Sequence, residues 1–364
     1  MPELRRVLHV LPHPGGGGET YVDALSAMEG YRLERAYLAA GPDPAGARAS
    51  ILRRAVEIQR AARAHELLHV HGEVASGLCL PALATRPSVV TLHGLNLVRR
   101  LSGFAQTAAR VNLRLVIRAA SRTVCVSESE REELRSLLGE RFLRRVVAVQ
   151  NGITPPERVT ADERTAARAA LDIPMEAMVG AWIGGLEAVK DPLTPIRAVG
   201  PARRLGIPLV LLVAGDGPLR AEVERAATDV GDSSVQVLGF RREIRKILAA
   251  ADFFVLSSRS EGLSFSLLEA MAVGLAPVVS AVPGNREAVG DAGVLVPVSD
   301  TAAFTAAFER LATDEQGRLD LGKRARERVT RHFRAQEMIG RTRCVYDRAI
   351  LERRRRGDAG AASP

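Results

Sequence analysis

The sequence predicts an α/β protein made of two doubly wound, Rossmann-like domains that face each other across a cleft. Three observations predict it. Short apolar runs, each about one strand long, alternate with stretches of helical spacing through residues 1–150. That alternation stops at a Pro- and Gly-marked segment, 151–176, and restarts over 177–330. The 364 residues suffice for two domains, each able to bury its own core.

The elements follow in order. Val7 to Leu11 is a strand that ends in Pro-Gly punctuation, and a helix starts near Glu19. Leu33 to Ala39 is the next strand, and Ala47 to His65 carries Ile51, Ala55, Ile58 and Ala62 at helical spacing. Leu67 to Val70, Val89 to Leu92, Thr123 to Val126 and Val146 to Val149 are short and apolar, as strands of a parallel sheet covered on both faces must be. The segment 151–176 holds Asn151-Gly152, Pro155-Pro156, Pro174 and one polar helix, Ala161 to Leu171, and reads as the linker. Beyond it Val179 to Ile183, Leu209 to Ala214, Val235 to Leu238, Phe253 to Leu256, Pro277 to Ser280 and Val294 to Val296 are strands. Arg324 to Arg353 reads as one basic helix. Residues 331–364 form a C-terminal segment, with Gly357 to Pro364 as a frayed end.

Composition narrows the function classes. Hydrophobic residues make up 46% and charged residues 26%, which excludes a disordered or collagen-like chain. No apolar run approaches the ~18–20 residues of a membrane helix. Val7 to Leu11, behind Arg5 and Arg6, is too short for a signal-peptide core, so a cytoplasmic protein is expected. Cys79, Cys125 and Cys344 lie far apart and imply neither disulfides nor a zinc site. The net charge of +9 is uneven: 1–150 carry +7, 151–340 carry −2 and 341–364 carry +4.

Several residues could carry chemistry. Gly15 to Gly18 stand between the first strand and a helix, where bare backbone N–H groups and the helix N-terminus suit a phosphate or a sugar oxygen. His93 follows a strand end and precedes Gly94. His69 and His71 also end a strand. Their H-x-H spacing would hold a metal only with further ligands, and no nearby carboxylate or cysteine completes a set, so none is expected. Glu261 and Glu269 stand eight residues apart. With a helix starting near Ser264, the segment offers a loop carboxylate, a helix end with free N–H groups and a second carboxylate. A sugar, a diphosphate and a ribose diol need those groups in that order. Lys190, one of three lysines, follows the Gly184-Gly185-Leu186 turn and would neutralise phosphate charge.

In this order the motifs resemble those of a family 4 glycosyltransferase with the GT-B fold, over nearly the whole length. Gly15 to Thr20 is similar to the family's glycine loop, Val90 to Gly94 to T-x-H-G, Val126 to Glu128 to its V-S-E step and Asn151-Gly152-Ile153 to its N-G-I/V linker. Ile183 to Pro192 resembles the G-R-L-x-x-x-K turn, Gly215 to Pro218 the G-x-G-P loop and Gly239 to Arg241 the G-F/Y-x loop. Ser257 to Gly274 resembles the S-x-x-E-G…E-A-M-A-x-G block with its E-x7-E pair, the most specific of the set, and Pro283 to Glu287 the glycine loop after it.

The resemblance implies that the helix of residues 331–364, with Phe333 and Tyr346, crosses back to the first domain, and it implies roles. Glu269 binds the ribose hydroxyls of a nucleotide, and Glu261 the hydroxyls of the donor sugar. The N–H groups of Leu263, Ser264 and Phe265 face sugar and phosphates. Lys190 stabilises the leaving diphosphate, with Gly184, Gly16 and Gly17 also on the donor. His93 lines the reaction centre on the acceptor side. The reaction implied is retaining, by front-face attack, with positioning and charge stabilisation doing most of the catalysis. No cofactor is implied beyond the nucleotide-diphosphate sugar, a UDP-sugar ahead of GDP-mannose. The chain has no D-x-D triplet, which agrees with a metal-independent site. It departs from the family at Gly185, where an Arg usually stands, and Arg241 or Arg259 are the candidate replacements. That departure keeps a catalytically silent GT-B partner subunit open as the alternative, beside a related epimerase or phosphorylase.

The acceptor is unnamed: a glycan, a lipid-linked or a small molecule. Residues 74–127 contain seven Arg and no acid. Arg110, Arg114, Arg118 and Arg122 recur every four residues and read as one helical stripe beside Val111 and Leu115. Such a stripe suits peripheral contact with an anionic membrane, a phosphate-bearing acceptor or plain solvent. Aromatics are 4% and no nucleic-acid motif appears, so no nucleic acid is expected.

Overall fold

Among the described residues the apolar runs become twelve parallel strands. The computed structural model describes residues 4–39, 48–231 and 233–361. It divides into two units: the first holds residues up to Gly152, Glu261–Leu263 and the chain from Ala335, and the second holds Ile153–Ser260 and Ser264–Arg334.

In the first unit the strands are β1 (Arg5–Leu11), β2 (Tyr31–Tyr37), β3 (Leu67–His71), β4 (Ser88–Thr91), β5 (Arg122–Cys125) and β6 (Val146–Ala148). Their order across the sheet is β2-β1-β3-β4-β5-β6. All pairings are parallel, and the register sets His9 beside His69 and His71 beside Thr91. Val10, Leu68, Val70 and Val90 carry the core on to the flanking helices through Ile58, Leu83, Leu113 and Ile117. Helix Gly103–Ala119 buries Ala109, Leu113, Val116 and Ile117, a period-3.6 stripe.

The second unit holds β7 (Met178–Ile183), β8 (Leu209–Ala214), β9 (Val235–Gly239), β10 (Phe253–Leu256), β11 (Ala276–Ser280) and β12 (Val294–Val296), ordered β12-β11-β10-β7-β8-β9. This is the doubly wound order in which the winding reverses between the first and fourth strands of the domain. Trp182, Phe253, Phe304 and Phe308 are fully buried in its core. Truncating any of these rings to Ala would cost about 3–5 kcal/mol.

Three boundaries differ from the sequence reading. The stretch 151–176 divides, because 153–176 belong to the second unit. There the buried Arg168 on helix Ala161–Ala169 pairs with Asp252 (2.8 Å) and donates to the carbonyls of Met175 (2.6 Å) and Ala177 (3.0 Å). The expected helix Arg324 to Arg353 is two helices, Glu315–His332 and Ala335–Ala361, broken at Phe333, whose side chain is buried and whose carbonyl accepts from Ile153 N–H (2.9 Å). The last helix continues through Gly357 to Ala361 instead of fraying, and residues 362–364 lie outside the described residues. No helix among the described residues is long and apolar enough to cross a membrane.

Candidate functional site

The second sheet reverses its winding between β7 and β10, and in such sheets ligands bind beyond the C-terminal strand ends at the reversal. The loops there are 184–190 and 257–264. The Gly184 N–H donates to the Ala214 carbonyl (3.1 Å) and the Leu186 N–H to Asp216 (2.9 Å). A Cβ at Gly215 would stand 1.8 Å from the Gly184 oxygen, so the two loops touch backbone to backbone and only glycine fits.

The Lys190 turn is fixed from below. The Trp182 indole donates to the Ser257 hydroxyl (3.1 Å), which donates to the Asp191 carbonyl (2.7 Å). Asp191 holds φ +48°, a strained value for a non-glycine residue. Its carboxylate accepts from Ser299 (2.6 Å) and from Arg259 (3.2 Å), and the Arg259 N–H donates to Val189 (2.8 Å). Arg259, with a side chain 56% exposed, is therefore anchored on the turn that carries Lys190. Arg241 has no such tie among the described residues.

Helix Phe265–Val273 begins at Ser264. The Ser266 hydroxyl donates to the Ile183 carbonyl (2.9 Å) and ties the helix start to the end of β7. Ser264 and Phe265 N–H groups find no acceptor among the described residues, as expected of a helix start. Glu269 lies one turn on. Its carboxylate has no partner among the described residues, and burial lifts its pKa to about 7. A half-buried carboxylate without donors is costly, so this one suits a ligand that brings hydroxyls. Gly184, Lys190, Ser264, Phe265 and Glu269 thus share the second unit, whereas Gly16, Gly17, His93, Glu261 and Leu263 belong to the first.

In the first unit the winding reverses between β1 and β3. Gly15 and Gly16 hold φ of +85° and +77° ahead of helix Gly17–Ala24. The Glu19 carboxylate takes the Gly15 N–H (2.6 Å) and the Tyr37 hydroxyl (2.6 Å). The N–H groups of Gly16 and Gly17 have no acceptor among the described residues, and nothing stands within 4 Å of either Cβ position.

His93 sits at φ +60°, followed by Gly94 at +104°. This strained turn is held by Glu130, fully sequestered, whose two oxygens accept from the Gly94 and Val126 N–H groups. Glu73 likewise accepts from the Leu97 N–H (2.7 Å). Burial raises both carboxyls to about 7. Neither was foreseen; an acid flanked by helix-forming residues looks like a solvated face, and only tertiary burial reveals it. Gly262 packs on the same turn, its Cβ position 2.7 Å from Val126 and 3.0 Å from the Gly94 nitrogen. The Leu263 carbonyl accepts from the Asn151 amide (2.7 Å), and Glu261 is buried.

The H-x-H reading needs correction. A third histidine does join His69 and His71: His9, brought in by the β1–β3 register, with ring nitrogens of all three within 4.8 Å. These nitrogens are already hydrogen-bonded. His9 Nδ1 lies 2.9 Å from His71 Nε2, His71 Nδ1 lies 2.8 Å from His93 Nε2, and His69 is held by Tyr346 (2.6 Å) and Thr91 (2.7 Å). Burial holds all four rings neutral at pH 7, His9 near 3 and His93 near 4.

The Arg stripe also changes. Arg110, Arg114 and Arg118 lie on helix Gly103–Ala119, but Arg122 does not. Ala120 turns extended, and Arg122 opens β5, buried and paired with Glu352. Arg114 and Arg118 stack over the Phe142 ring at 5.9 and 5.0 Å. Phe104, Val111 and Leu115 form an exposed apolar line on the same helix. Cys79 and Cys125 are buried, their thiols pushed up by burial, whereas Cys344 is exposed.

Residues 8–156 match the model of Glycosyltransferase Family 4, and residues 178–314 match that of Glycosyl transferases group 1. The lipopolysaccharide core biosynthesis glycosyltransferase LpsE of Rhizobium meliloti (strain 1021) is 34% identical over 193 residues, 52% of this chain and 54% of that protein. The D-inositol 3-phosphate glycosyltransferase of Kineococcus radiotolerans is 28% identical over 327 residues, 82% of this chain and 74% of that protein. The crystal structure of Anabaena Alr3699/HepE in complex with UDP and glucose superposes with a TM-score of 0.78 at 17% identity, covering 93% of this chain and 98% of that one.

Proposed function

Because the chain belongs to the family 4 glycosyltransferases of the GT-B fold, we propose that it moves a sugar from a nucleotide-diphosphate sugar, UDP-linked in preference to GDP-linked, with retention and without a metal ion. The observation that carries this reading is Glu269: an unpartnered carboxylate beside the β7–β10 reversal, with a helix start and Lys190 on neighbouring loops. A solved relative by fold was crystallised with UDP and glucose, which favours uridine.

Each residue then has a task. Glu269 accepts from the ribose hydroxyls. The helix start at Ser264 and Phe265 and the Leu263 N–H donate to sugar and phosphate oxygens, and Gly16, Gly17 and Gly184 let phosphate approach the backbone. Glu261 orients the donor sugar. As the bond from the anomeric carbon to the diphosphate oxygen breaks, negative charge grows on that oxygen. Lys190 and Arg259 stabilise it, Arg259 replacing the arginine missing at Gly185. The leaving oxygen takes the acceptor's proton on the same face, so neutral His93 orients a hydroxyl and is not the base. The acceptor is anionic, a phosphate-bearing molecule drawn to the Arg-rich first unit.

Calorimetric titration tests this. UDP and one UDP-sugar bind with EDTA present, GDP-mannose binds at least tenfold more weakly, and Glu269→Ala abolishes binding. Failure of wild-type protein to bind any of the four nucleotides UDP, UDP-glucose, UDP-N-acetylglucosamine and GDP-mannose would move the silent-subunit reading ahead.

A further inference from the structure

We propose that a buried hydrogen-bonded chain, Thr91–His69–Tyr346–His9–His71–His93, fixes the tautomer of His93, placing its proton on Nε2 and leaving Nδ1 bare as an acceptor. The inference deepens the role given to His93 and rests on the proposed function for its catalytic meaning.

The geometry is continuous. Thr91 Oγ1 lies 2.7 Å from His69 Nε2, and His69 Nδ1 lies 2.6 Å from the Tyr346 oxygen. That oxygen lies 3.4 Å from His9 Nε2. His9 Nδ1 to His71 Nε2 is 2.9 Å, and His71 Nδ1 to His93 Nε2 is 2.8 Å. Thus His69, His9 and His71 each spend both ring nitrogens inside the chain. Every member but His93 is buried, at 0–1% exposure.

Neutral imidazole has one donor and one acceptor nitrogen. A chain in which each ring uses both must therefore be polarised in a single direction. Reversing one ring alone sets two lone pairs, or two protons, face to face. With the Tyr346 proton used inside the chain, only two states satisfy every bond, and they are mirror polarities of the whole chain. Burial excludes the escape of protonating a ring, since all four imidazoles are held well below their usual titration range.

Tyr346 selects between the two. A phenol is a good donor to imidazole and a poor acceptor from it, so its proton goes to the nearer nitrogen, His69 Nδ1 at 2.6 Å rather than His9 Nε2 at 3.4 Å. His69 then donates through Nε2 to Thr91. His9 donates weakly through Nε2 to the Tyr346 oxygen and accepts at Nδ1 from His71. His71 in turn accepts at Nδ1 from His93 Nε2–H. His93 Nδ1 has no partner among the described residues and stands ready to accept from a hydroxyl. Tyr346, His9 and His71 are positioning residues: they set which nitrogen His93 offers without touching what it meets.

The test needs no substrate. The full chain is labelled with 15N-histidine and long-range 1H–15N correlations are recorded near pH 7, with His93 assigned from the signals lost in His93→Gln. The expected result is a single His93 form with a pyrrole-like Nε2 and a pyridine-like Nδ1. Tyr346→Phe removes the group that sets the direction, and the two His93 nitrogens move towards averaged positions although two imidazoles separate them from the substitution. His9→Phe cuts the chain independently and gives the same result should Tyr346→Phe fold poorly. Tyr31→Phe, whose ring packs on Tyr346 at 5.4 Å outside the chain, leaves His93 unchanged. A wild-type proton on Nδ1, His93 signals indifferent to both cuts, or an equal shift in Tyr31→Phe would each overturn the proposal. A protein that binds no nucleotide yet keeps the single form would count against the transferase reading alone.

Discussion

The two units share a sheet plan and differ in where they keep their polar groups. In the second unit the candidate site groups stand beyond the strand ends, Gly184, Lys190 and Ser264 on loops and Glu269 one turn into the following helix, over a core of Trp182 and phenylalanines. In the first unit polar groups lie within the sheet and under the loops: His9, His69, His71, Glu73 and Glu130, all buried. Both sheets reverse winding beside their first strand, yet only one resembles a simple ligand shelf. Loop chemistry can be removed without harming the fold, whereas chemistry inside a sheet cannot.

The comparison is sharpest at the loops of the second unit. Lys190→Ala should lower kcat by about 10²–10³-fold, the usual cost of removing one group that meets charge developing in the transition state. Melting temperature should stay unchanged, because the side chain is half exposed and the turn is held by Ser257 and Asp191. Arg259→Ala should lower kcat by about tenfold and leave KM alone. A drop in stability that tracks the Lys190 loss would break the division between shelf and core.

The opposite holds for Glu130. Glu130→Ala strands the Gly94 and Val126 N–H groups in the interior, at about 1–3 kcal/mol each. Urea denaturation should show a loss of that order, with Glu130→Gln recovering part of it. If Glu130→Ala were as stable as wild type, the carboxylate would not be holding the His93 turn.

Legibility followed the same line. The donor block was readable because its residues are close in sequence: Glu261, the helix start at Ser264 and Glu269 span nine positions, and helix periodicity places them. Strand positions were readable for the same reason, since a short apolar run needs no partner to be recognised. The histidine chain was not. His9 and His69 are sixty residues apart and meet only through parallel register, which no local pattern encodes. Arg122 misled for the converse reason: a spacing of four continued past Ala120, where the helix had already ended. Arg259 was named beside Arg241, but its contact with Asp191 could not be read from the sequence.

Acid probes the first unit's buried groups directly. A histidine at about 3 in the folded chain and near 6.5 unfolded binds its proton mainly when unfolded. Its contribution is intact above pH 6.5 and is lost progressively as the pH falls towards 3. Buried carboxyls raised to about 7 act oppositely: stability from Glu73, Glu130 and Glu269 falls as pH rises from about 4.5 to 7. Wild-type curves mix the two, so the informative quantity is a difference. Between pH 6 and 5, wild type should lose about 1 kcal/mol more than His9→Phe. Parallel curves would mean that His9 titrates normally and is not sequestered.

The smallest effect concerns the surface helix Gly103–Ala119. Arg114 and Arg118 stack on Phe142, so Arg118→Ala should cost about 0.5–1 kcal/mol, and Phe104→Ser, at a side chain 89% exposed, almost nothing. Their stabilities are thus nearly silent, and any functional role must appear elsewhere. With vesicles containing anionic lipid at low salt, wild type should pellet and the double variant should not. Neutral vesicles or raised salt should release the wild type. If wild type stays in the supernatant while a soluble phosphate-bearing acceptor still competes for the first unit, the arginines serve the acceptor and the exposed phenylalanine serves neither. The surface helix would then act through its charge on the acceptor and through no membrane contact.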